Sequence, residues 1–201
     1  MPIIGATQAH VRVRAARVRR TGKGAPRGEM VRRFGMPAPL AGELPERDGP
    51  PKKIRLLGED LLAFRQTDGR VGIVEPHCPH RGANLYYGRN ENCGLRCSFH
   101  GWKFDVDGNC VDLPTSPPEP AYKATITLLS HPPREWADMV WVYMGPRETM
   151  PELPQLELGL VPAASRFVTK KWQDCNWVQS LEGAIDTSHF SFLHKVLATD
   201  D

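Results

Sequence analysis

Hydrophobic and polar positions change rhythm several times along this chain. Residues 29–40 predict a short helix that ends near Pro37, since proline cannot continue one. Gly35 and Pro39 fall where a firm element would want bulk, which marks this edge as loosely packed. Residues 41–51 read as a linker. Three short strands are then expected over 52–58, 60–66 and 70–75, the last two joined by a turn at Thr67-Asp68-Gly69. Compact loops follow at 76–82 and 97–101. Residues 102–111 read as a hairpin about Asp107-Gly108, and 122–129 and 139–145 as later strands. A helix is expected over 177–186, favoured by Ala, Leu, Glu and Gln and bent or interrupted near Gly183. The fold class is mainly β: a small β-module over 50–146, a Pro-rich connection over 147–165, and the start of a second, α+β unit over 166–201.

With 18 Gly and 19 Pro in 201 residues, composition also favours short strands and many turns over long helices. The net charge of +3 hides an asymmetry. Residues 1–35 hold nine Arg or Lys and one Glu, so the rest of the chain is acidic. The segment 1–49 reads as a basic leader with a short helical or linker piece. No zinc-finger spacing or single-strand binding module accompanies it, so nucleic acid is not an expected partner. No apolar run reaches the length of a signal peptide or a membrane span, which leaves the cytoplasm as the expected location. Five cysteines make a poor disulfide framework. Cys93, Cys110 and Cys175 read as free thiols.

Cys78 and Cys97 belong to a different pattern, C-x-H-x16-C-x2-H, which runs from Cys78 through His80 and Cys97 to His100. Each half joins a soft thiolate to an imidazole. In a Rieske [2Fe–2S] centre both thiolates bind one iron and both imidazoles bind the other. One Cys and one His on each loop is what that division requires. Pro79 stiffens the first loop, and Gly82 and Gly101 permit tight turns. Trp102 is placed to cover one side of the site. His77 adjoins Cys78, but its side chain is expected to point away in an extended loop. A mixed-ligand zinc site is the alternative, although the usual C-x2–4-C and H-x3–5-H spacings are absent.

CPHRG followed by CSFHGWKFDVDG resembles the Rieske domain of ring-hydroxylating oxygenase large (alpha) subunits. The resemblance continues through VDLPTSPPE and VWVYMGPRE into NWVQSLEGAIDTSHFSFLH, which resembles the start of the catalytic domain in the phthalate dioxygenase-like branch. His189 and His194 would be rotated by about 140° on a regular helix, so a bend, loop or helix end must bring them together. The resemblance implies that both bind a mononuclear non-haem Fe(II). It makes Asp186 a bridging catalytic acid between a histidine of that site and a Rieske histidine, His100 or His80. It places the iron's carboxylate ligand beyond Asp201, so the catalytic domain reads as truncated. It further implies an NAD(P)H-dependent reductase and in some systems a ferredoxin as electron donors, O2 and an aromatic molecule as substrates, and a homotrimer. Ring dihydroxylation and O- or N-demethylation are both compatible with such sites. A Rieske ferredoxin-like carrier without oxygenase activity is the second reading, and a zinc-bound structural module the third.

Overall fold

The computed structural model describes residues 19–115 and 120–194. It divides into two compact units. One comprises Thr21–Lys170, and the other Met1–Arg20 with Lys171–Asp201. Helix α1 spans only Pro26–Val31, and strand β1 follows at Met36–Leu40. The expected helix over 29–40 is therefore not formed. Gly35 and Pro37 stop α1, and Pro37 and Pro39, which lack an N–H, sit in a strand at a sheet edge. The register shifts between Pro37 and Leu40, and Pro39 is fully buried rather than loose.

Three antiparallel sheets build the first unit. One has the order β1-β11-β10, with β10 at Pro133–Trp136 and β11 at Met139–Val142. The second has the order β2-β3-β4-β9, formed by Lys52–Leu56, Glu59–Arg65, Val71–Val74 and Ser130–His131. The third has the order β5-β6-β7-β8, formed by Arg89–Asn90, Leu95–Arg96, Lys103–Phe104 and Cys110–Asp112.

Strands β3 and β4 explain why 60–66 and 70–75 are apolar runs and not simple alternations. Successive side chains on a strand point to opposite faces, and here both faces are covered. Leu61, Ala63, Val71 and Ile73 enter one core with Val140 and Val142 of β11. Leu62, Phe64 and Val74 enter the other with Leu85, Leu95, Phe104, Cys78 and Cys97. Gly72 is required between them, because a Cβ there would lie 2.7 Å from the Phe64 ring and 2.9 Å from Val106. Asn90 ties the third sheet to the second. Its side-chain amide donates to the Gly49 carbonyl at 2.9 Å and the Arg65 carbonyl at 2.8 Å.

The hairpin β7–β8 turns about Asp107 and Gly108, the latter at φ +85°. Two other expectations fail. Residues 122–125 belong to helix α2, Pro120–Thr125, where a leading proline and two alanines override the β-branched residues that follow. After the short α3, Glu157–Leu160, the second unit contributes α4, Trp177–Ile185. It runs through Gly183 without a break. A Cβ at Gly183 would meet open space, so the glycine costs about 1 kcal/mol of propensity without forcing a bend. Among the described residues no helix is long and apolar enough to cross a membrane.

The core that holds Cys78 and Cys97 should be the stability-limiting one. Phe104→Ala, at a fully buried position, should destabilise the fold by about 3–5 kcal/mol. Urea unfolding followed by far-UV circular dichroism checks this. An unchanged midpoint would contradict the packing described.

Candidate metal centre

Two loops with the same backbone closure carry the first constellation. In each, the cysteine N–H donates to the carbonyl five residues on: Cys78 to Ala83 at 2.9 Å, and Cys97 to Trp102 at 2.8 Å. In each, the cysteine carbonyl accepts from a glycine four residues on: Gly82 at 2.9 Å, and Gly101 at 3.1 Å. Both glycines are left-handed, at φ +70° and +76°, where an L side chain is strained. At Gly101 a Cβ would also lie 2.7 Å from Pro114. The sequence carries no repeat here. The likeness lies in hydrogen bonding and not in residue identity.

These loops bring Cys78, His80, Cys97 and His100 together. Cys78 and Cys97 are 2% and 3% exposed, and each thiol touches the other's environment. Burial foremost, opposed by a backbone hydrogen bond from His80 and reinforced by Cys97 and Cys110, pushes the Cys78 thiol up to about 11. The apolar core thus disfavours the Cys78 thiolate, and a bound cation would favour it. The imidazoles of His80 and His100 lie at the half-buried edge of the site, ring centroids 4.5 Å apart and 67° between planes. Burial, then His100 and Arg81, hold His80 below the ordinary histidine pKa, so its ring is neutral with a lone pair to give. His80 Nδ1 is buried without a hydrogen-bond partner, as a ligand atom would be.

His80 stacks on Trp102 at 4.4 Å and 6°, and Phe99 leans on His100 at 4.1 Å. His77 is exposed while Cys78 is buried, in keeping with opposite side-chain directions. Among the described residues no three His, Cys, Asp or Glu side chains converge on a point that one ion could fill. A two-iron cluster asks only for one pair of cysteines and one pair of histidines, and the donor set fits it.

Sequence reasoning missed Arg96. Its guanidinium donates to the Gly101 carbonyl at 2.6 Å, to Asp112 at 2.8 Å and to Glu91 at 2.6 Å. It thereby pins the closing residue of the second loop, and an arginine in a two-residue strand offers no spacing signal for that role. Cys110, read as an unrelated free thiol, is buried in the same core as Cys78.

The second constellation follows α4 in the other unit. Asn176 caps that helix, its side chain accepting from the Val178 N–H at 3.0 Å. Asp186 ends the helix in an extended conformation and accepts from the Ser188 N–H at 2.8 Å. Its other oxygen lies 3.1 Å from His189 Nδ1. A one-turn helix α5, Phe190–Leu193, has His189 at its start and His194 at its end. Chain geometry at these two ends brings the rings to 5.1 Å, with Phe190 against both, at 4.8 and 4.6 Å. Glu182, one turn before Asp186, accepts from Gln179 on its own helix. Asp200 and Asp201 lie outside the described residues.

Comparison with known proteins bears on both constellations. The Rieske [2Fe–2S] domain family matches residues 36–129, and the LigXa C-terminal domain like family matches residues 142–199. The chain is 47% identical over 175 residues to the 3-chlorobenzoate-3,4-dioxygenase oxygenase subunit of Comamonas testosteroni, covering 87% of this chain and 40% of that one. It is 46% identical over 171 residues to the phthalate 4,5-dioxygenase oxygenase subunit of Pseudomonas putida, covering 85% and 39%. Among solved structures, NdmA of Pseudomonas putida CBB5 superposes with a TM-score of 0.68 at 27% identity, over 83% of this chain and 51% of that one. The chain thus spans about two fifths of the length of the curated relatives it matches.

The Ser188 N–H, and after it His189, lower the Asp186 pKa below 3.8. A depressed carboxylate pKa means that the turn contacts are fully present above the ordinary value and are lost as pH falls through the folded one. The Ser188 amide shift, followed by NMR, should therefore titrate with a midpoint below 3.8. His189→Ala should raise that midpoint only part of the way. A midpoint at the ordinary value would contradict the turn.

Proposed function

The chain belongs to the Rieske non-haem iron oxygenases, and we propose that it serves as the oxygenase component of an aromatic ring-hydroxylating system. The observation that carries the reading is the pairing of two buried cysteines with two edge histidines, one of them with an unpartnered Nδ1. Cys78 and Cys97 would hold one iron of a [2Fe–2S] cluster, and His80 and His100 the other. His189 and His194 would hold a mononuclear Fe(II). When bound, the cluster supplies one-electron transfer and the mononuclear iron supplies O2 activation.

The chain's own residues prepare these sites. Burial keeps water from the two cysteines, while the half-exposed histidines give a donor protein access to the cluster edge. Asp186 fixes the ring of His189 through Nδ1, which leaves Nε2 as the metal-facing nitrogen and makes the imidazole a stronger ligand. In the assembled enzyme we assign Asp186 the link between His189 and a Rieske histidine of a neighbouring subunit in a homotrimer. The electron donor would be an NAD(P)H-dependent reductase, with or without a ferredoxin. The relatives named for chlorobenzoate and phthalate favour an aromatic carboxylate as substrate, attacked by dihydroxylation, with O- or N-demethylation as the other chemistry such a site supports. The cytoplasm is the location consistent with these partners.

A second reading, an electron carrier without oxygenase chemistry, draws on the compactness of Thr21–Lys170, which contains all four cluster ligands. Anaerobic iron and acid-labile sulfide analysis separates the two. Oxygenase architecture predicts two irons and two sulfides with a Rieske EPR signal, plus a third iron that the double variant His189→Ala/His194→Ala loses. Two irons unaffected by that variant would favour the carrier. A stoichiometric zinc with no sulfide would overturn both. Cys78→Ser should abolish the EPR signal.

A further inference from the structure

Two buried nitrogens in the region of the cysteine pair have no hydrogen-bond partner among the described residues: His80 Nδ1 and Trp102 Nε1. The imidazole nitrogen is accounted for as an iron ligand. The indole nitrogen is not, because it carries a hydrogen and is only ever a donor. Trp102 is 5% exposed, and its ring lies flat against His80. Its backbone carbonyl is held by Cys97, so it is anchored to both loops at once. Two other indoles show what is normal in this fold. Trp141 Nε1 donates to the Trp136 carbonyl at 3.0 Å, and Trp177 Nε1 to the Arg19 carbonyl at 3.2 Å.

A buried donor left unpaired costs about 1–3 kcal/mol, so the arrangement calls for an acceptor. The core around Trp102 is made of Leu, Phe and Val side chains together with Cys78, Cys97 and Cys110. Among the side chains of that cluster, the cysteine sulfurs are the ones able to accept.

We propose that the Trp102 indole N–H donates a hydrogen bond to a sulfur of the bound cluster and thereby raises its reduction potential. The proposal rests on the cluster assignment above. Reduction adds negative charge to the cluster and its sulfurs, so a donor stabilises the reduced form more than the oxidised one. Trp102 then acts as a tuning residue and not only as a packing surface for His80.

Trp102→Phe keeps an aromatic ring against His80 and removes the N–H. The variant should load two irons and two sulfides with an EPR signal like that of the parent. At a fixed ambient potential its ratio of reduced to oxidised cluster should fall about tenfold, which is about 59 mV for a one-electron couple. Packing alone would not produce a second signature. With indole-15N tryptophan, pulsed EPR of the reduced parent should show a nitrogen coupling and an exchangeable proton coupling that Trp102→Phe lacks. Resonance Raman in D2O, on protein reconstituted with 34S sulfide, identifies the acceptor: a bridging sulfide if the 34S-sensitive modes shift, a cysteine thiolate if the others do. A loaded parent without indole coupling would overturn the proposal, as would a loaded variant with unchanged potential. If the variant fails to hold a cluster, the coupling in the parent decides. A parent that binds no cluster would instead defeat the function proposed above.

Discussion

Two cysteines are held side by side in an apolar interior that disfavours bare charge, and the first unit of this protein is arranged around that pair. Cys78 and Cys97 sit in a core with Leu85, Leu95 and Phe104, where burial drives Cys78 toward the neutral thiol. Two loops closed by the same pair of backbone hydrogen bonds position them, each turning on a left-handed glycine, with the Arg96 guanidinium pinning the second at Gly101. The first loop follows β4 of the second sheet and the second joins β6 to β7 of the third, while β3 and β4 share their other face with a separate core. Without the metal the thiol pair is tolerable but chemically idle. With it, the sulfurs gain the charge compensation that the core denies them.

The polarity of the site follows from the same arrangement. Cysteines point inward and histidines sit at the edge, so one half of a two-iron cluster would be dry and the other reachable by a donor. The second unit supplies a different motif, a helix end where Asp186 holds His189 and a single turn brings His194 to the same side. Each unit therefore carries one imidazole pair, tied by local geometry.

What the sequence made legible was whatever depends on short spacing. The five-residue loop signatures, the strands over 52–75 and the Asp107-Gly108 hairpin were readable because turn chemistry and side-chain alternation act over a few residues. Strand β1 was not readable, because Pro37 and Pro39 look like breakers until an edge position and a register shift accommodate them. Helix α2 was hidden by β-branched neighbours, and Gly183 suggested a bend that solvent exposure makes unnecessary. The Arg96 anchor joins Glu91, Gly101 and Asp112 across two strands and two loops, a meeting that only the folded chain reveals. The unpaired Trp102 indole is likewise invisible in sequence, where a tryptophan after a glycine is ordinary core.

The most direct test of the central claim is Mössbauer spectroscopy of the 57Fe-reconstituted chain in its dithionite-reduced state. The account predicts two inequivalent cluster irons in equal amount, one a sulfur-ligated Fe(III) and one an Fe(II) with nitrogen ligands. A single iron environment, or a pair that are both sulfur-ligated, would contradict the assignment of Cys78 and Cys97 to one iron and of His80 and His100 to the other.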